Sequence, residues 1–297
     1  MTKKNKIPRH TLLIFLAAAA LILIFTFTIK SVNFDYTYID TNNSDNISSD
    51  SFKNSDSEEK LNTDKDRFQN IELTTKDIGV PVLYYHSVDQ NADNEVTITP
   101  EMLEKQLKYI NDNKFTTITI RELYDYLKNN KPIPEKSIVI TFDDGYMNNY
   151  TEAFPILKDL NMKATIFCVG NSLDGSYYLS HEAIKEMSDY GIDIESHTVN
   201  HVHLDTLSYD EQLLELKKSK EILENITGKE VLSIAYPFGD YNTDTVKAAK
   251  QAGYSLGFTT NLGLSDRSDN IFELDRIYIS SNYDMNTFKA LINNTSK

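Results

Sequence analysis

The feature that most constrains this chain is a regular alternation of short apolar runs with amphipathic segments of helical period. Seven runs rich in β-branched residues are predicted to be strands: Val80–His86, Ser137–Phe142, Ala164–Val169, Ile192–Ser196, Leu232–Tyr236, Ser255–Thr259 and Arg276–Ile279. Helices are predicted between them, over 100–111, 119–128, 150–160, 181–190, 208–226 and 243–252. This alternation indicates an α/β domain, either a parallel barrel or an open doubly wound sheet, in which functional residues collect at the carboxyl ends of the strands.

The regions before this domain differ from it in composition. Residues 1–30 carry basic residues and no acid, and the apolar run Leu12–Ile29 is nearly long enough, as a helix, to cross a membrane. We expect a signal-anchor helix over residues 11–29 in a bacterial-type cell membrane, spanning it once with the rest of the chain extracellular; a cleaved signal peptide is the alternative. Residues 31–78 are rich in Asn, Asp, Ser and Thr and predict a disordered linker. Residues 79–297 are then one domain, expected to be monomeric.

The net charge argues against one class of partner, and the cysteine content excludes two kinds of cysteine-based site. The net charge of −14 argues against a nucleic-acid partner, because binding to phosphates requires a basic surface. Cys168 is the single cysteine, so neither an internal disulfide nor a cysteine zinc site can form. A metal site in this chain must therefore use histidine and carboxylate ligands.

Two adjacent acids follow the second predicted strand. Asp143 and Asp144 come directly after an apolar run and precede Gly145. Successive side chains of a strand point to opposite faces, so one carboxylate should point into a barrel. One carboxylate could then bind a metal while the other acts as a general base. An ordinary acidic turn closed by Gly145 is the structural alternative.

A pair of histidines follows the fourth predicted strand. His197 and His201 are four residues apart, a spacing that on a helical turn brings two ring nitrogens close enough to share one ion. With one carboxylate from the acidic pair they supply two nitrogens and one oxygen. The combination predicts a metal site with three protein ligands and room for water and substrate.

These motifs, with Ala164–Phe167 and Tyr236–Gly239 in the same order, resemble the polysaccharide deacetylases, carbohydrate esterase family 4 or NodB homology. The resemblance covers residues 79–280 and implies a distorted (β/α)7 barrel and a metal-dependent hydrolase that removes N-acetyl groups from β-linked N-acetylglucosamine polymers. Matched residue by residue, it implies Asp143 as the catalytic base. The implied metal ligands are Asp144, His197 and His201, with Zn2+ as the usual ion and Co2+ or Ni2+ able to replace it. In such a site the metal activates a water that attacks the acetyl carbonyl, and the backbone N–H of Phe238 helps to hold the oxyanion.

The chain departs from the most familiar members at two positions. Those members have an arginine two residues before the motif proline, where this chain has Ala235, and a late Leu-x-His, where this chain reads Leu274-Asp275-Arg276. The chain resembles instead the branch that includes the poly-β-1,6-N-acetylglucosamine deacetylases of biofilm exopolysaccharide. We therefore expect His86 to be the general acid, with His203 as second choice. We expect Arg276 to orient Asp143, with a structural salt bridge as the rival reading.

The expected substrate is a cell-surface or extracellular acetylated glucosamine polysaccharide, with a poly-β-1,6-N-acetylglucosamine-like polymer favoured. Peptidoglycan, chitin oligomers and xylan are alternative substrates of the same site. A carbohydrate-binding pseudoenzyme without catalysis is the alternative of another class.

Overall fold

Seven parallel strands close into a barrel at the centre of the fold. The computed structural model describes residues 67–293. We label its barrel strands in chain order: β1 Val82–Tyr85, β2 Ser137–Phe142, β3 Thr165–Cys168, β4 Asp193–Ser196, β5 Ser233–Ala235, β6 Leu256–Leu262 and β7 Leu274–Tyr278. Each strand pairs in parallel with the next, and β7 pairs with β1 through Ile277 and Leu83 to close the ring. The barrel architecture implied by the resemblance is therefore confirmed, and the open sheet is excluded.

Helices cover the outside of the barrel and lie close to the predicted positions. They are α1 Pro100–Asp112, α2 Ile120–Asn129, α3 Phe154–Asp159, α4 His181–Tyr190, α5 Tyr209–Thr227, α6 Thr243–Ala252 and α7 Met285–Asn293. A π-helical turn, Asn149–Ala153, precedes α3, and short 3-10 turns span Gly170–Ser172, Leu204–Thr206 and Pro237–Gly239. Capping boxes at Thr119, Ser208 and Asn242 define where α2, α5 and α6 begin, because each side chain accepts a backbone N–H that the helix leaves unpaired.

Two apolar cores result from the alternation of side chains along the strands. The inner core lies within the barrel and includes Val82, Val139, Phe167 and Phe258 together with side chains of α2. The outer core lies between the strands and the remaining helices; it includes Leu83, Ile140, Ile166, Ile194 and Ile277. On each strand, a residue that is an even number of positions from an inner-core residue therefore has the parity of the inner core and points into the barrel. At the carboxyl end of a strand, such a residue lies at the rim of the barrel.

Residues 67–78, which the sequence analysis places in the linker, contact the domain. Leu73–Thr74 pairs antiparallel with Ile133–Pro134, and the Tyr126 hydroxyl accepts the backbone N–H of Ile78 at 2.6 Å. Two further short pairings are parallel: Ser87–Val88 with Thr97–Ile98, and Thr116–Thr117 with the start of β2. Contacts of the domain thus begin before Gly79, because the backbone of Leu73 and Thr74 pairs with the short segment Ile133–Pro134.

The predicted anchor, and the linker up to residue 66, lie outside the residues that the structure describes. Between residues 67 and 293, none of the helices has the length and apolar character needed to cross a bilayer.

Candidate active site

The two adjacent carboxylates reach the same rim of the barrel because the backbone turns between them. Asp143 has the parity of the inner core and is 3% exposed. Asp144 adopts φ 74 and Gly145 follows with φ 73, so the strand ends in a left-handed turn, a conformation that aspartate tolerates better than most residues. A Cβ on Gly145 would lie 3.1 Å from Cys168 Sγ. This turn places the Asp144 carboxylate beside the loop that carries the two histidines.

His197 and His201 do not lie on a helical turn, and that part of the prediction is wrong. They lie in the loop that follows β4, where Thr198 and His201 adopt positive φ angles of 64 and 52. The Glu215 carboxylate of α5 accepts the backbone N–H groups of Val199 and Asn200 at 3.1 and 3.0 Å. The two histidines therefore come together because the loop has left-handed backbone conformations and is hydrogen-bonded to the Glu215 carboxylate. The four-residue spacing identified the correct pair, but the helical geometry assumed for it is not the one observed.

Asp144, His197 and His201 form a compact group of possible metal ligands, which we call the triad. Their ligand atoms all lie within 4.8 Å of one another. The Nε2 atoms of His197 and His201 lie 3.4 and 3.2 Å from Asp144 Oδ1, which has no hydrogen-bond partner among the described residues. Donors about 2.0–2.1 Å from one tetrahedral ion lie about 3.3–3.4 Å apart, so the two distances to Asp144 Oδ1 are those expected around a single bound metal ion.

The orientation of His197 also fits a metal ligand. Its Nδ1 lies 2.8 Å from the carbonyl oxygen of Ala235. A ring whose Nδ1–H donates to a carbonyl keeps its Nε2 lone pair available, as metal-bound histidines require. Burial alone would raise the pKa of Asp144, but His197 and His201 outweigh it and hold that pKa well below its ordinary value. The carboxylate is therefore ionised and ready to bind a cation.

Arg276 lies inside the barrel and binds Asp143. Its Nη1 and Nη2 donate to the two oxygens of Asp143, both at 2.8 Å, and its Nε donates to the Thr259 carbonyl at 2.9 Å. The guanidinium stacks 4.2 Å from the centre of the Tyr84 ring, and Arg276 is 0% exposed. Burial would raise the pKa of Asp143, but Arg276, followed by His197, outweighs it and keeps this pKa below its ordinary value. Asp143 is thus a fixed, ionised carboxylate that can accept a proton.

His86 follows β1 with the parity of the inner core. Its ring lies 5.9 Å from that of Tyr84 and 6.1 Å from that of Tyr278. Burial lowers its pKa, while the charges of Asp143 and Asp144 oppose the change. Its Nδ1 is buried without a hydrogen-bond partner in residues 67–293. The charges of Asp143 and Asp144 therefore act on His86, and its Nδ1 makes no hydrogen bond with any of the described residues.

Phe238 and His203 lie in the part of the rim that follows β4 and β5, away from His86 at the end of β1. Phe238 adopts φ 61 in the turn after β5, and its ring stacks on His203 at 4.0 Å and meets His201 edge-on at 4.6 Å. His203 Nδ1 lies 2.6 Å from Asp240 Oδ2. Phe238 thus lies next to the triad, whereas His203 is already paired and its side chain is 53% exposed.

A group of three tyrosines beside the triad was not singled out by the sequence. Tyr146 stacks on Tyr178 with ring centres 5.4 Å apart, and Tyr177 meets both rings edge-on. Tyr146 shares a side-chain hydrogen bond with Asp144; burial, followed by the charge of that carboxylate, raises the pKa of the Tyr146 phenol. Tyr146 follows the acidic pair by two residues, but nothing in the sequence indicates that residues 177 and 178 fold back onto it.

Comparisons with known proteins agree with this geometry. Residues 130–257 match the family model for polysaccharide deacetylase. YxkH of Bacillus subtilis, whose name assigns it to the polysaccharide deacetylases, is 38% identical over 219 residues, which cover 74% of this chain and 78% of that protein. A poly-β-1,6-N-acetyl-D-glucosamine N-deacetylase of Staphylococcus epidermidis is 28% identical over 212 residues, 66% of this chain and 71% of its own length.

A solved structure is similar over nearly the whole described region. The deacetylase PplD of Streptococcus pyogenes, in complex with acetate, superposes with a TM-score of 0.70 at 30% identity. The match covers 75% of this chain and 100% of that one.

Proposed function

Since the chain belongs to the polysaccharide deacetylase family, we propose that it removes N-acetyl groups from an extracellular N-acetylglucosamine polymer with a divalent ion held by the triad. The chain is an N-deacetylase, a hydrolase of linear amides. The observation that carries the proposal is the convergence of Asp144 Oδ1 with two imidazole Nε2 atoms at 3.2 and 3.4 Å. An ion at that position, with Zn2+ favoured and Co2+ or Ni2+ as substitutes, would act as a Lewis acid that polarises the acetyl carbonyl and makes water more acidic.

Asp143 is proposed as the general base. It is ionised, buried and held through both oxygens by Arg276, so its position is fixed before substrate arrives. Proton transfer requires a base within hydrogen-bond reach of the attacking water, and a fixed carboxylate beside the triad satisfies that need. Arg276 acts through Asp143 and is a positioning residue in this proposal. It takes the place of the arginine that the sequence lacks before Pro237.

His86 is proposed as the general acid that protonates the departing amine. Amide hydrolysis needs such a donor, because a free amide anion is a poor leaving group. His86 lies in the field of Asp143 and Asp144, whose charges favour its protonated form and oppose the effect of burial on its pKa. His203 remains the second choice, since its Nδ1 is paired with Asp240. The backbone N–H of Phe238 is proposed to stabilise the oxyanion, because this residue contacts His201.

The proposed polymer is poly-β-1,6-N-acetylglucosamine or a close relative of it. Support comes from the Staphylococcus epidermidis relative, which is named for that substrate. Peptidoglycan, chitin oligomers and xylan are the alternatives. We also propose that residues 1–30 anchor the chain in the cell membrane and that the linker before residue 67 extends the catalytic domain outward; fractionation of cells followed by protease treatment of intact cells tests this.

The test of function incubates the full chain with defined acetylated oligomers of each linkage and measures acetate. We expect release from β-1,6-linked oligomers that stops when a chelator is added and returns with zinc. Release from another polymer alone would reassign the substrate. Binding without release from any oligomer would support the pseudoenzyme instead.

A further inference from the structure

Two consecutive asparagines, Asn148 and Asn149, follow the acidic pair and have no role in the chemistry proposed above. Asn149 is 1% exposed, and its Nδ2 donates to the backbone carbonyl of His86 at 2.7 Å. A carbonyl oxygen can only accept a hydrogen bond, so the amide nitrogen of Asn149 must face it. Burying an amide is unfavourable unless it is paired, and here the pairing restrains the backbone of the proposed general acid.

Asn148 holds the two residues that follow His86. Its Oδ1 accepts the backbone N–H of Val88 at 3.0 Å, and its Nδ2 donates to the Ser87 hydroxyl at 2.9 Å. The backbone pairing of β1 with β2 has ended one residue before His86. Three successive residues after β1 are therefore hydrogen-bonded to two adjacent amide side chains from the loop after β2.

The proposed base and the proposed acid are connected through these bonds. The Asp143 N–H donates to the carbonyl of Tyr85, which directly precedes His86, at 2.9 Å. Asn149 then binds the carbonyl of His86 itself. The segment from Asp143 to Asn149 is thus bonded at both of its ends to neighbouring residues at the end of β1. This arrangement fixes the backbone of His86 relative to that of Asp143.

Asn149 reaches His86 from the first residue of the π-helical turn. The Phe154 N–H donates to the Asn149 carbonyl, and the Asn149 N–H donates to the Tyr146 carbonyl at 3.0 Å. Turns of this kind are rare and frequently occur at functional sites. Because the backbone of Asn149 is itself hydrogen-bonded on both sides, its amide is a fixed support for the His86 carbonyl.

We propose that Asn149, supported by Asn148, is a positioning residue for the general acid His86. Proton transfer to the departing amine depends on where the donor lies, and a displacement of about 1 Å can lower a rate about 100-fold. Asn149 acts through the backbone of His86 and touches neither the acetyl group nor the ion. The inference rests on the proposed function, since it concerns the proton donor of that reaction.

The test compares two substrates of the zinc-loaded full chain, an acetylated glucosamine oligomer and nitrophenyl acetate. The amine of the oligomer must be protonated as it leaves, whereas nitrophenolate is a good leaving group and needs no acid. Asn149→Ala should lower kcat for the oligomer about 10–100-fold, with KM and bound zinc near their native values, and should lower the rate on the ester far less. In a His86→Ala background the same change should cost nothing further, because both residues serve one proton transfer.

Gln212→Ala is the matched control. Gln212 is also 1% exposed, and its Nε2 donates to the Leu207 carbonyl at 3.0 Å. Like Asn149 Oδ1, its Oε1 has no partner among residues 67–293. Removing this amide should act equally on oligomer and ester and independently of His86. If Asn149→Ala prevents folding, Asn148→Ala, at a half-buried position, replaces it in every comparison.

Equal losses on oligomer and ester, or a loss that multiplies with that of His86→Ala, would make Asn149 a merely structural residue and overturn the inference. A harmless His86→Ala would also overturn it, because Asn149 would then act through a residue that is not the donor; the proposed function would still stand. No acetate release by the native chain from any oligomer would instead overturn the proposed function, and the inference with it.

Discussion

Replacing Arg276 by methionine should both destabilise the fold and change the pH dependence of catalysis. The Asp143 carboxylate is 3% exposed and receives two hydrogen bonds of 2.8 Å from a guanidinium that is fully buried. Arg276→Met removes the cation but leaves the anion, and an unpaired buried charge of this kind costs about 3–5 kcal/mol in unfolding free energy. The double change Arg276→Met with Asp143→Asn removes both charges and should recover a large part of that loss.

The sign of the pH effect follows from the same pair. Arg276 holds the pKa of Asp143 below its ordinary value, so its removal raises that pKa. The loss of stability relative to the native chain should therefore grow from pH 4 to pH 8, as the stranded carboxyl ionises. Because the base must be ionised, the acidic limb of the kcat/KM profile should move to higher pH, by about one unit for each 1.36 kcal/mol by which Arg276 favours the ionised form of Asp143.

The assays are urea unfolding and acetate release, each measured across pH at equal metal content. Arg121→Met is the matched control, because Arg121 pairs with Glu230 at 2.5 Å on the surface with 48% and 57% of the side chains exposed. Such a pair contributes about 0–1 kcal/mol. An unfolding cost for Arg276→Met no larger than that for Arg121→Met, together with an unmoved acidic limb, would refute the assignment of Arg276 as the residue that holds Asp143.

His86→Ala should lower kcat by about 10²–10⁴-fold with bound zinc unchanged, whereas His203→Ala should have a smaller effect; the reverse order, measured by acetate release and metal analysis, would transfer the role to His203. Asp144→Asn should abolish the rise in melting temperature that zinc causes in the native chain, and a rise of equal size would remove Asp144 from the ligand set. Burial raises the pKa of Asp193 to about 6, so its contribution to stability is present below pH ~3.8 and is lost as pH rises through 6. Asp193→Asn should therefore flatten the fall in unfolding free energy over that window, and an unchanged slope in urea titrations refutes the assignment.

The barrel was predictable because its strands are short, apolar and regularly spaced. β2 is buried along its whole length and appears in the sequence as an apolar run ended by the acidic pair. Helix α7 was missed, because residues 285–293 follow the last barrel strand and no further strand comes after them to continue the alternation of strands and helices. The contacts of residues 67–78 were missed because two residues pair with an edge formed by Ile133 and Pro134, and so short a pairing has no periodicity.

The candidate site was predictable as a set of residue types, and its geometry was not. His197 and His201 were found by their spacing, but positive φ angles at Thr198 and His201 create the actual arrangement. Such angles depend on tertiary partners such as the Glu215 carboxylate, which accepts the backbone N–H of Val199. Glu215 lies on the following helix, and no local sequence pattern links it to this loop. The pairing of Arg276 with Asp143 could be suspected from a missing arginine, whereas the fold-back of Tyr177 onto Tyr146 has no local signal.

Deacetylation by this chain should require an ion that is held by the triad. The most direct measurement titrates zinc into chelator-treated full chain and follows acetate release from an acetylated β-1,6-glucosamine oligomer. We predict activity that rises from near zero and reaches a plateau at one zinc per chain. Undiminished release from metal-free chain, or a plateau that survives Asp144→Asn, would contradict the account.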